Sequence, residues 1–190
     1  VRTRRKTTYK GADSKPTSGL VAKTTKQGEL IAALQGNRQV FILGPAGTGK
    51  TYVTATYAAD LYTTKQIDKI VITRPHVPVG RDLGFLKGDL TEKLMRGRSF
   101  DNAFIIVDET QNITTHELKM ILTRVGEGTT IVLNGDVQQS DLKEADGLSK
   151  IIHLAKKYML PVPVIEFGVD DIIRSDITAM WVKTFMKEGI

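Results

Sequence analysis

The sequence predicts an α/β domain in which a parallel sheet carries helices on both faces. Three observations predict it. Short, unbroken apolar runs such as Val40–Leu43, Phe104–Val107 and Ile131–Leu133 alternate with segments whose apolar residues recur at helical spacing, and strands buried on both faces read as continuous hydrophobic runs. A glycine-rich turn, "GPAGTGKT" at 44–51, joins one such run to the helical segment behind it. An acidic pair, Asp108-Glu109, closes another run.

The elements follow in order. "QGELIAALQGN" puts Leu30, Ile31 and Leu34 on one helical face and stops at Gly36-Asn37. "QVFIL" is the first strand, and "KTYVTATYAADLY" is a helix to about Leu61. "KIVIT" is the second strand, ended by Arg74-Pro75, and "NAFIIVDE" is the third. "THELKMILTRVG" reads as a helix with a threonine cap and a glycine stop. "TTIVLNGD", "GLSKIIHLAKKYM", "VPVIEF" and "DITAMWVKTFMKEG" complete the series as strand, helix, strand and closing helix.

At 190 residues the chain fits one domain. No apolar run approaches the roughly 20 residues that a membrane span needs, and the basic N-terminus has no apolar stretch behind it to read as a secretory signal. The absence of cysteine excludes disulfides, thiolate metal sites and cysteine nucleophiles. His76, His116 and His153 lie too far apart for ligand spacing. A cytoplasmic protein is the expectation. The net charge of +6 belongs to one end: residues 1–30 carry eight bases and two acids, and the remainder is neutral. Residues 1–24 are therefore read as a flexible basic arm and 25–190 as the domain. Such an arm either contacts a phosphate backbone or is a solvated leader.

Residues 44–51 match G-x-x-x-x-G-K-[ST] at every fixed position, between a strand and a helix as its mechanism requires. Backbone N–H groups cradle phosphate there, and the helix N-terminus adds a favourable partial charge. Gly44, Pro45, Ala46, Gly47, Thr48, Gly49, Lys50, Thr51 and Tyr52 make up the nucleotide-binding set. Lys50 is expected to reach the β- and γ-phosphates, and the Thr51 hydroxyl to ligate Mg²⁺. Asp108, at the carboxyl end of a buried strand, is the second metal-holding residue, and Glu109 is placed to polarise the attacking water. The pair could instead cap the following loop. "NGDVQQSD" sits at the tip of a strand that, in phosphate-loop ATPases with a catalytic glutamate, lies between the other two. Asp136 and Gln139 are thus candidates to sense the γ-phosphate, with a plain polar turn as the alternative.

Taken together, "GPAGTGKTY", "ITRPHVPVGRDLGFLKGDLTEKL", "RGRSFDNAFIIVDETQN", "KMILTRVGEGT" and "NGDVQQSDL" resemble, in order and wording, the PhoH family of phosphate-starvation-inducible ATPases. The resemblance covers about Thr25 to Ile177. It implies a RecA-like P-loop NTPase core related to the first domain of superfamily-one helicases, with ATP and Mg²⁺ as cofactors. It also implies RNA or single-stranded DNA as a partner and a homo-oligomer, a hexameric ring. On this resemblance Gln27 reads the adenine edge, Gln111 belongs to a helicase-type extension of the acidic motif, and Gln139 completes G-D-x-x-Q. Arg174, in "DDIIRSD", matches an arginine near a nucleotide. Supplied by a neighbouring subunit it would act as an arginine finger, an effect worth about 10³–10⁵ in rate; it could equally be a surface ion-pair residue. Arg74 and Arg124 fall in motifs that resemble nucleic-acid-facing or subunit-facing positions, or else form salt bridges on a solvated face.

The chain departs from the family in one place. Members carry several dozen residues between "GDLTEKL" and "RGRSF", whereas here Met95 alone separates Leu94 from Arg96.

The leading expectation is an Mg²⁺-dependent ATPase coupled to RNA or single-stranded DNA. If all eight arm cations paired with phosphates, the salt slope would approach about −5 to −6. Few aromatics lie outside the core runs, so base stacking is poorly supported. A nucleotide-gated assembly module with slow hydrolysis is the second expectation. A small-molecule kinase is disfavoured by the missing arginine-rich lid, and a GTPase by the missing Asn-Lys-x-Asp motif.

Overall fold

A computed structural model describes residues 20–75, 100–136, 147–173, 180, 181 and 184. Five parallel strands form one sheet: β1 (Gln39–Leu43), β2 (Lys69–Thr73), β3 (Ala103–Val107), β4 (Thr130–Gly135) and β5 (Val164–Glu166). Their spatial order is β2-β3-β4-β1-β5. The phosphate-loop strand β1 and the acidic strand β3 therefore flank β4, as the sequence predicts.

Helices α1 (Thr25–Gly36) and α2 (Lys50–Thr63) cover one face, and α3 (Thr115–Thr123) and α4 (Gly147–Lys157) cover the other. Successive strand residues point to opposite faces, and the two cores divide accordingly. Val40, Ile42, Phe104, Ile106 and Val132 pack with Leu30, Leu34, Val53 and Ala58 beneath α1 and α2. Phe41, Leu43, Ile105, Val107, Ile131 and Leu133 pack with Leu118, Ile121, Leu148 and Ile152 beneath α3 and α4. Because every inner strand is buried on both faces, the strands read as unbroken apolar runs.

Helix ends follow local chemistry. The Thr24 side chain caps α1 by accepting from the Gln27 N–H. Thr114 and Glu117 form a reciprocal capping box on α3. The expected glycine stop of α3 is not what ends it. The helix finishes at Thr123, because Val125 is drawn into a parallel bridge with Phe100 and the Gly126 N–H bonds the Phe100 carbonyl. A Cβ on Gly126 would collide with the Phe100 backbone, so close approach explains this glycine. The fifth strand is shorter than expected, since Pro163 has no N–H to donate and pairing by both groups begins at Val164.

Leu20 packs against the α1–α2 core, so the last residues of the segment read as the basic arm already touch the domain. Residues 1–19 lie outside the described residues, as does most of the closing helix, of which Met180, Trp181 and Thr184 are helical. Among the described residues, no helix is long and apolar enough to cross a membrane.

Candidate functional site

All five strands run the same way, so their carboxyl ends share one edge of the sheet. There the turn after β1, the acidic pair after β3 and the tip of β4 converge. The turn needs glycine where the backbone takes left-handed angles: Gly44 has φ 131° and Gly49, the N-cap of α2, has φ 85°.

The turn's carbonyl groups are held by its own lysine and by elements outside it. Lys50 Nζ donates to the carbonyls of Gly44 (2.5 Å) and Pro45 (2.8 Å). The Ile173 N–H donates to Gly47 O at 2.9 Å, and Gln27 Nε2 donates to Thr48 O at 3.1 Å. The Gly44 N–H bonds Gly135 O at the tip of β4, at 3.2 Å. With the carbonyls occupied and the first-turn N–H groups of α2 lacking intrahelical acceptors, the turn presents donors to an anion.

Gln27 is only 2% exposed. Its Oε1 accepts from the Lys23 N–H while its Nε2 braces the turn. The amide keeps one hydrogen and one lone pair for a further partner. Tyr52, in the first turn of α2, is exposed.

The Thr51 hydroxyl donates to Asp108 Oδ1 at 3.1 Å, so two hard oxygen donors from two elements meet at one point. Lys50 is half-buried, and burial pushes its pKa below the ordinary value of 10.5, while the charges of Asp136, Asp108 and Glu109 act in the opposite direction. A half-buried ammonium in the field of three carboxylates is the charge pattern that a phosphate–metal pair would complete.

One further observation fits such a group. Among the described residues, both polar side-chain atoms of buried Asn134 lack a hydrogen-bond partner. Asn134 pairs in register with Ile42 of β1, and the residue before it pairs with Val107, which precedes Asp108. It shares the α2 face of the sheet with Ile42 and lies between the phosphate-loop strand and the acidic strand. A buried amide left without partners costs about 1–3 kcal/mol. The signal for it in the sequence was an asparagine directly after the apolar run Ile131–Leu133.

Glu109 takes a left-handed backbone conformation (φ 53°, ψ 42°), which non-glycine residues adopt rarely. Its carboxylate is held from two sides. Arg74 Nη2 donates to Oε1 at 2.8 Å and Gln111 Nε2 donates to Oε2 at 2.7 Å. Gln111 Oε1 in turn accepts the buried Asp136 N–H at 3.0 Å, linking the ends of β3 and β4. Gly135 makes room for this link, because a Cβ there would lie 3.2 Å from Gln111 Oε1 and 2.5 Å from Leu148 Cδ2.

The structure thus brings together Gln27, the 44–51 turn, Asp108, Glu109, Gln111 and Asp136. Arg74, expected to face a nucleic acid or a neighbouring subunit or else to form a salt bridge, forms an ion pair with Glu109, the candidate base. Arg124, the C-cap of α3, lies before β4 begins and so at the opposite edge of the sheet. Gln139 and Arg174 lie outside the described residues.

Fold and site define a phosphate-loop NTPase domain, with a parallel sheet of RecA-like order. The chain belongs to the PhoH family: the family model described as "PhoH-like protein" matches residues 19–94 and 93–186. It is similar to Protein PhoH of Escherichia coli K12, 34% identical over 203 residues, covering 86% of this chain and 57% of that protein. It is also similar to a PhoH-like protein of Bacillus subtilis, 34% identical over 206 residues, covering 88% and 64%. A PhoH-like protein of Synechocystis is 38% identical over 157 residues, covering 64% and 48%. The chain spans about half to two thirds of these relatives' length. The family match breaks at residues 93–94, and the first two alignments are longer than the 190-residue chain itself. Both facts agree with the shortening seen between Leu94 and Arg96. A solved structure from work on DNA unwinding at forked double-stranded DNA by two coordinating Pif1 helicases aligns with a TM-score of 0.43 and 15% identity, over 78% of this chain and 44% of that one.

Proposed function

We propose that this chain is an Mg²⁺-dependent ATPase coupled to RNA or single-stranded DNA, acting as a homo-oligomer. The observation that carries the chemistry is the meeting of Thr51 with Asp108 at 3.1 Å, next to Lys50 at the start of the same helix. On this reading the turn binds the phosphates through backbone N–H groups, and Lys50 leaves the Gly44 and Pro45 carbonyls to meet them. Thr51 and Asp108 would hold Mg²⁺, which when bound supplies charge neutralisation at the phosphates. Glu109 orients the attacking water and accepts its proton. Asp136 and Gln139 are the candidate γ-phosphate sensors, Gln27 the candidate adenine contact, and Arg174 the candidate finger from a neighbouring subunit in a hexameric ring. The basic arm and the family's helicase-like motifs support the nucleic-acid partner.

The test is steady-state ATP hydrolysis with Mg²⁺, with and without single-stranded RNA or DNA, on the wild type, Lys50→Ala and Glu109→Gln. Loss of turnover in both variants, with stimulation of the wild type by the strand, supports the whole reading. Hydrolysis that ignores nucleic acid while oligomeric state follows nucleotide favours the assembly module instead. Wild-type turnover in both variants would rule out this site.

A further inference from the structure

We propose that Arg74 is a restraint on Glu109 that an anionic single strand releases. The inference rests on the nucleic-acid reading above and assigns the contact through which a strand would act on the ATP site.

The geometry starts with the sheet. Thr73 of β2 pairs with Val107 of β3, and the Asp108 N–H bonds Thr73 O at 2.8 Å. Arg74 is therefore the first residue beyond this paired position on β2 and Glu109 the second beyond it on β3, held on a common backbone platform. From there the guanidinium reaches Glu109 Oε1 at 2.8 Å while Gln111 takes Oε2 at 2.7 Å. One acceptor position on each oxygen is occupied, and the carboxylate's orientation is fixed. The guanidinium also offsets the negative charge that Glu109 would use to draw a proton from water.

The two holders differ in access. Gln111 is buried, whereas the Arg74 side chain is 67% exposed and that of Glu109 is 35% exposed. Only Arg74 can be captured from solvent. A guanidinium presents a planar fork of donors that matches a phosphodiester as well as a carboxylate. Exposed ion pairs are weak and screened, so the phosphates of a strand lying along this edge compete effectively. Capture frees Oε1 and leaves Gln111 to keep Glu109 near the reacting water. Arg74 is thus a positioning residue whose partner changes with the strand.

The experiment measures kcat and KM for ATP on the full chain, without strand and with oligo(U) or oligo(dT), for the wild type, Arg74→Ala and Arg74→Lys. Arg74→Ala should raise the strand-free kcat about fivefold, the factor one exposed ion pair can hold back, with KM unchanged. Stimulation by either oligonucleotide should fall towards one, and Arg74→Lys should restore part of the restraint. The gain must vanish in Arg74→Ala/Glu109→Gln, because the effect acts through Glu109. A strand-free kcat at or below wild type, with stimulation intact, overturns the proposal while leaving the nucleic-acid reading standing. A raised kcat in Arg74→Ala with no strand stimulating the wild type supports the restraint and removes the nucleic-acid reading. Stimulation by one oligonucleotide alone names the strand.

Discussion

Gly44→Ala should destabilise the domain through backbone strain and a clash with Phe167. At φ 131° a side chain is strained, and an added Cβ would meet Phe167 Cβ at 2.8 Å and overlap the Phe167 carbonyl oxygen. Phe167 is tied to β1 through its N–H, which bonds Leu43 O at 2.8 Å, so the clash forces β5 and β1 apart at the turn. The dihedral cost is about 1–3 kcal/mol, and loss of the Phe167 hydrogen bond adds about 1 kcal/mol, giving about 2–4 kcal/mol in all. With a urea slope of about 2 kcal/mol/M, the midpoint should fall by about 1–2 M. The paired control is Gly36→Ala at the end of α1, where an added Cβ meets nothing within 4 Å. Alanine's helix propensity should make that variant as stable as wild type or up to about 0.5–1 kcal/mol more so. Urea unfolding followed by circular dichroism reads both. Equal midpoints for the two variants would refute the claim that the turn's angles and the Phe167 contact demand glycine.

Three further outcomes follow from the site. Gln111→Ala leaves the buried Asp136 N–H without its acceptor and should cost about 1–3 kcal/mol in urea unfolding, together with reduced turnover. Burial depresses the pKa of Lys50 in the folded state below its unfolded value of 10.5, so between those two values the unfolded chain binds more protons and stability rises with pH. Lys50→Met should flatten that rise and be at least as stable as wild type at neutral pH while losing nucleotide binding; unfolding measured across that pH window checks it. Thr114→Ala removes the α3 capping box and should lower stability by about 0.5–2 kcal/mol in thermal or urea unfolding, with ATP affinity unchanged.

Much of the fold was legible because its inner strands β1, β3 and β4 are buried on both faces and its edge strands keep short apolar runs. "QVFIL" and "KIVIT" coincide with β1 and β2 to the residue, and an apolar run of that length between turn residues has few other uses. The end of α3 was not legible, since Gly126 looks like a helix stop and serves instead the approach of Phe100, a partner 26 positions upstream that local pattern cannot reveal. In the site, the turn was legible as a motif of fixed glycine and lysine spacing, and Asp108, which the structure places against Thr51, as an acid closing an apolar strand. The pairing of Arg74 with Glu109 was not, because it arises from strand order, which brings residues 35 apart together. Asn134 was hidden likewise: its burial depends on lying between β1 and β3, and only the three-dimensional order states that.

Calorimetric titration of Mg·ATP into Glu109→Gln, alongside Lys50→Ala, separates holding the nucleotide from hydrolysing it. The account predicts that Glu109→Gln binds within about threefold of wild type, only when Mg²⁺ is present, while its turnover falls by about 10²–10⁴, and that Lys50→Ala does not bind. Full turnover by Glu109→Gln, or undiminished binding by Lys50→Ala, would contradict it.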